Sequence, residues 1–75
     1  MAGKAEDKNA VYKIVELVGM SSQSWDDAAK HAVEAAGRSL RDLRVAEVVE
    51  QDLKIERGKV QAYRVRMRLS FKYEH

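Results

Sequence analysis

Apolar and polar residues alternate along most of this chain, and one central stretch switches to helical spacing. From Ala10 to Val18 the alternation is strand-like. Val11, Lys13, Val15 and Leu17 point one way, and Tyr12, Ile14, Glu16 and Val18 the other. β-branched and aromatic residues dominate, as a pleated strand prefers. Gly19 and the run Ser21-Ser22-Gln23-Ser24 then break the pattern. Next, Trp25, Ala29, Ala32, Ala36, Leu40 and Leu43 recur at spacings of three and four. Ala28 and Ala35 widen that stripe. Asp27, His31, Glu34, Arg38 and Arg41 form the opposite, polar face. The spacing predicts a helix ending near Leu43.

The helix start carries its own signals. Ser24 and Asp27 have the spacing of a capping box, in which the hydroxyl accepts from a backbone N–H and the carboxylate reaches back. Asp26 and Asp27 also place negative charge at the positive end of the helix dipole. The mostly alanine stripe buries little area, but it lets a neighbouring element come close. That neighbour is the chain's own sheet, another subunit, or both. Trp25 reads as a core anchor or a hydrophobic staple.

A second strand is expected from Arg44 to Glu56 and a third from Val60 to Tyr73, with Arg57-Gly58-Lys59 as the turn between them. In the third, Tyr63, Val65, Met67, Leu69, Phe71 and Tyr73 face a core, while Arg64, Arg66, Arg68, Ser70 and Lys72 face away. A three-residue loop sets Asp52 opposite Arg64, Glu50 opposite Arg66 and Val48 opposite Arg68. It also sets Val49 against Met67 and Leu53 against Tyr63. Charges and apolar groups then match in one register. Glu47 and Gln51 fall on the apolar face. A bulge that turns them out and a polar pocket that they line both remain open. The fold class is α+β: a β-α-β-β order with a three-stranded antiparallel sheet around one helix.

Composition narrows what such a chain can do. Seventy-five residues make a single domain, read here as residues 10–75 after a solvated, flexible tail at 1–9. A domain this small buries only roughly 60% of its unfolded surface, so its core is marginal alone. There are no Cys and two His, at 31 and 75, so disulfides and thiolate metal sites are excluded. Partner subunits or an oxygen-ligated ion are the remaining supplements. The absence of Cys suits a reducing compartment, and the expected location is cytoplasmic. No stretch has the length of a membrane span, and residues 1–9 lack the apolar region of a secretory signal. The net charge is only +2, with 35% charged residues of both signs.

Candidate chemistry is sparse. There is no Gly-rich phosphate loop, no nucleophile beside a base and no H-x-x-x-H, so an enzyme is not expected. Calcium takes six to eight oxygens, usually with several carboxylates. Glu50 and Asp52 share one strand face and are the candidate metal ligands; ion pairing with Arg66 and Arg64 is the simpler reading. Arg64, Arg66, Arg68 and Lys72 make a basic row. Acidic residues opposite two of them, and aromatics on the other face, argue against nucleic acid.

The stretch Val11-Tyr12-Lys13-Ile14-Val15-Glu16-Leu17-Val18-Gly19, followed by a Ser-rich link to a helix, resembles the start of a dodecin. So do Val45-Ala46-Glu47-Val48 after the helix and the closing Tyr63-x-Val65-x-Met67-x-Leu69-x-Phe71. The resemblance spans residues 10–73. It implies a β-α-β-β subunit whose sheet wraps the helix, twelve copies forming a hollow shell of 23 symmetry, and in most members a flavin stacked between Trp side chains. The family's Leu-x-Trp-(Phe or Ala)-Glu-Val corresponds here to Leu43-Arg44-Val45-Ala46-Glu47-Val48, so Val45 stands at the stacking position. A Gln that pairs with the flavin edge corresponds to Arg64. Val cannot supply aromatic stacking, worth about 0.5–1.5 kcal/mol, and Arg has donors only.

The calcium dodecin branch is more similar. It shares Ser24-Trp25-Asp26, Arg44-Val45-Ala46, Glu50-Gln51-Asp52 and Ser70-Phe71-Lys72. This implies the same homododecamer without the usual flavin site, binding, storing or buffering a small ligand or ion, with calcium as the candidate. Flavin (riboflavin or FMN) binding and storage is the alternative.

Overall fold

The computed structural model describes residues 9–73. The expectation of a flexible tail at 1–9 falls almost wholly outside them, as does His75. The elements are β1 (Tyr12–Ser21), α1 (Trp25–Gly37), β2 (Leu43–Glu56) and β3 (Lys59–Lys72). The sheet order is β1-β3-β2, antiparallel throughout. The helix lies on one face. Its Ala28, Ala32 and Ala36 pack on Val65, Met67 and Leu69 of β3, joined by Val15, Leu17, Trp25, Val33, Leu40 and Leu43. Among the described residues no helix is long and apolar enough to cross a membrane.

The alanine stripe does pack on the chain's own sheet, and Gly19 shows how closely. A Cβ built on Gly19 would lie 2.4 Å from the Ala28 carbonyl oxygen and 2.9 Å from the Ala32 Cβ. Sequence pattern reads this glycine as the end of β1. Instead β1 runs on to Ser21, and Gly19 sits inside it, opposite Val65, where the helix backbone touches the sheet. A glycine inside a strand often marks such an approach.

The helix is shorter than its apolar spacing suggests. It ends at Gly37, six residues before Leu43. Arg38 donates its N–H to Ala35, and Ser39 and Leu40 donate to Ala36, so the last carbonyls are satisfied by a tightening turn. The link then reverses through Asp42 at φ 57°. Leu40 and Leu43 still reach the core, but from the link and from the first residue of β2. Ala35 is exposed and Val33 takes part in the packing instead. At the other end Ser24 caps as expected, accepting from the Asp27 N–H at 3.0 Å. The Asp27 carboxylate, expected to reach back to the cap, instead accepts from the Ser21 hydroxyl, 2.6 Å away. That bond ties the helix start to the end of β1.

The β2–β3 hairpin keeps most of the expected register. Asp52 faces Arg64, Glu50 faces Arg66 and Leu53 faces Tyr63. Two details differ. The turn has two residues, Arg57 at φ 53° and Gly58 at φ 75°, and an irregularity at Lys54/Ile55 supplies the offset that a three-residue loop would have given. A second irregularity between Val48 and Glu50 shifts all that precedes it, so Glu47, not Val48, faces Arg68, and Val48, not Val49, faces Met67. That bulge moves Glu47 to the polar face. Gln51 stays opposite Val65 and is exposed, because the helix barely reaches β2. Tyr73 is likewise exposed at the end of its row.

Candidate functional site

The sheet face turned away from the helix carries the charged chemistry. Arg64, Arg66 and Arg68 stand in a row on the central strand because alternate residues share a face. β2 sets Asp52, Glu50 and Glu47 on one side of them, and β1 sets Met20, Val18 and Glu16 on the other. Arg64 binds Asp52 through two parallel bonds, Nε to Oδ1 at 2.7 Å and Nη2 to Oδ2 at 2.9 Å. Arg66 reaches Glu50 at 2.7 Å. Arg68 turns the other way and meets Glu16 of β1 at 3.3 Å. Each guanidinium of the row therefore has a carboxylate, and the row is not a free phosphate-binding stripe.

Asp52 is held from two directions. Its carbonyl oxygen accepts the Trp25 indole N–H at 3.0 Å. The Trp25 ring meets Tyr63 edge-on, with centroids 5.2 Å apart and planes at 82°. Trp25 is thus the core anchor expected of it, and it also bolts the helix start to the strand that carries Asp52. Hydrogen bonding from Arg64 holds the Asp52 carboxyl below its ordinary value of 3.8, aided by the positive charges of Arg64 and Arg66 and opposed by partial desolvation. Arg64 is raised in return, first by the same hydrogen bond. Both side chains are about two-fifths exposed, so water screens the pair.

Val45 and Arg64 do not converge within one chain. Val45 is opposite Ser70 at the far end of the same face. Ser70 and Arg64 are six residues apart along β3, or ~20 Å at about 3.3 Å per residue. A ligand touching both positions has to touch two copies. Beside Val45 a crevice of about 160 Å³ opens between Val33, Leu43 and Leu69. That is smaller than the roughly 300–1,000 Å³ of small-molecule sites.

Glu50 and Asp52 are adjacent on the face, as their spacing requires, and both engage arginines. Among the described residues no group of three or more His, Cys, Asp or Glu is placed to hold a metal. Two carboxylates are well short of the six to eight oxygens that calcium takes. One chain alone therefore does not fit the ion. His31 is exposed and lies 3.6 Å from Asp27 on the helix surface.

Residues 11–74 match the sequence model of one family, Dodecin. The chain belongs to the dodecin family. Dodecins are small binding proteins and not enzymes, and this chain is a ligand-binding protein of that kind. Calcium dodecin of Mycobacterium tuberculosis is 41% identical over 63 residues, covering 84% of this chain and 89% of that protein. Dodecin from Streptomyces coelicolor superposes with a TM-score of 0.86 at 35% identity, covering 92% of this chain and 99% of that one. The crystal structure of the Mycobacterium tuberculosis calcium dodecin, described as a calcium chelating immunodominant antigen with a novel calcium-binding site, gives 0.77 at 43% identity, over 85% and 91% of the two chains. The β-α-β-β architecture is a dodecin fold. The contacts of Trp25 and Gly19 are what sequence reading missed. A lone Trp beside a helix cap and a Gly within an alternating run were the signals available for them.

Proposed function

We propose that this dodecin works as one subunit of a hollow homododecamer in the cytoplasm, binding, storing or buffering a small ligand or ion in the manner of calcium dodecin rather than by stacking a flavin. The observation that carries the reading is the Arg64–Asp52 fork. It places a donor-only group, already engaged by a carboxylate through two of its N–H groups, where the family's flavin partner would accept and donate. Val45 at the stacking position adds no aromatic face.

The assembly reading has a separate support. The strands of the hairpin, 14 residues each, extend ~46 Å, whereas the 13-residue helix covers ~20 Å. The hairpin tip therefore projects past the core, and Ile55 and Val60 are 61% and 51% exposed there. Ile14 and Val18 of β1 are 61% and 55% exposed on the outer face. Further copies of the chain are the natural cover. They are also the source of the oxygens that one chain lacks for calcium. An ion at Glu50 and Asp52 has to displace Arg66 and Arg64.

A flavin titration and a metal analysis of the assembled protein test the ligand. Riboflavin and FMN fluorescence is expected to stay unquenched at micromolar protein, and calcium is expected to remain after exhaustive dialysis. Strong flavin quenching would reverse the first expectation, and protein emptied of calcium would remove the second. The double variant V45W/R64Q is expected to gain quenching.

A further inference from the structure

At the end of the sheet opposite the hairpin tip, an open cleft of about 440 Å³ lies between the start of β1, the α1–β2 link and the end of β3. Its volume falls within the roughly 300–1,000 Å³ of small-molecule sites. Two cationic side chains from different elements line it, Lys13 of β1 and Arg41 of the link, and Lys72 of β3 borders it from the other face of the strand. One carboxylate, Asp42, is also present, so among the described residues the lining is net positive. Phe71 and Tyr73 supply aromatic faces and Leu40 an aliphatic one. Lys13 Nζ already stands 5.5 Å from the centroid of the Tyr73 ring, so cation and aromatic are presented together.

The backbone around this cleft is fixed. Lys72 donates its N–H to the Asp42 carbonyl at 3.2 Å, and Tyr73 donates to Val11 at 2.8 Å. The left-handed Asp42 turns the link so that Arg41 lies over the strand ends. The helix C-terminus nearby would repel an anion, but the Ala35 and Ala36 carbonyls are occupied by the N–H groups of residues 38 to 40. On the outer face the arginines are matched by carboxylates, and Tyr12 stands away from Arg64 and Arg66, opposite Lys72. In the cleft, Lys13 shares a face with Phe71 and Tyr73, and cations outnumber acids among the described lining residues.

We propose that this cleft is a second binding site, separate from the Val45 and Arg64 positions, for a small phosphorylated compound with a planar ring, such as a nucleoside monophosphate. Arg41 and Lys13 take the phosphate, as guanidinium and ammonium groups do, and Phe71 and Tyr73 take the ring. Its pinned rims enclose room for one nucleotide unit rather than a strand. The inference stands whether or not calcium or flavin binds elsewhere.

The test is calorimetric titration of the full-length assembled protein with AMP, with adenosine and inorganic phosphate titrated separately. AMP is expected to bind once per chain and to weaken as salt rises. Adenosine and phosphate are each expected to bind at least about tenfold more weakly than AMP, since each has only one of the two features. Arg41→Glu and Lys13→Glu are each expected to weaken AMP by about tenfold or more, a 1.4 kcal/mol effect, while Arg41→Lys retains binding and R64Q leaves it unchanged. Circular dichroism and assembly mass check that each variant is intact. No saturable AMP binding overturns the proposal. So does intact Arg41→Glu protein that binds AMP as the parent does, or free phosphate binding as tightly as AMP.

Discussion

At the scale of single residues, the fold depends on positions whose side chains are small or absent. Gly19 leaves the space into which the Ala28 carbonyl fits. Backbone on one side and strand on the other cannot give way, so Gly19→Ala is expected to destabilise by about 3 kcal/mol or more. Chemical denaturation of the variant checks this, and an unchanged midpoint contradicts the contact. Asp52 carries a different expectation. Its folded-state carboxyl lies below 3.8, the usual value for the unfolded chain. The stability from its pair with Arg64 is therefore present above that value and lost as pH falls through the lower folded one. Unfolding of the parent and of Asp52→Asn, followed from neutral pH downward, is expected to converge in strong acid. A constant gap at every pH would show that the carboxylate charge is not what the pair uses.

At the scale of elements, alternation and helical spacing made the four pieces legible, because a strand and a helix impose different periods on what they bury. The match of Asp52 and Glu50 with Arg64 and Arg66 made the hairpin register legible as well. What was hidden lay in local backbone. The bulge at Val49 cannot be read from a Val48-Val49 pair, since either residue satisfies the pattern until Glu47 must find Arg68. The helix end was hidden because Leu40 and Leu43 keep the spacing after the helix has stopped. Of the candidate site, the paired carboxylates and the Val45 substitution were legible. The Trp25 bond to the Asp52 carbonyl was not, because it joins residues far apart in sequence through a backbone atom. The hairpin turn offers its own test. Arg57 holds φ 53° without being glycine, a conformation that Asn tolerates better. Arg57→Asn is expected to raise stability by about 0.5–1 kcal/mol. A loss of stability in thermal melts would mean that the arginine side chain contributes something the turn geometry does not reveal.

At the scale of the whole molecule, the chain is an elongated body of 50 × 25 × 18 Å. Its core is a narrow layer of three alanines against Val65, Met67 and Leu69, with a collar of partly covered side chains. Apolar residues on the outer face of β1 and on the hairpin tip remain in water. A 75-residue domain has little surplus stability to carry such exposure. Covering those surfaces with further copies of the chain accounts for the exposed residues and for the ~20 Å between Val45 and Arg64 in one arrangement. The direct test is the mass of the purified protein in dilute solution, measured by light scattering behind a sizing column. The account predicts a single species at twelve times the 8.5 kDa of one chain. A stable, folded species near 8.5 kDa would contradict it.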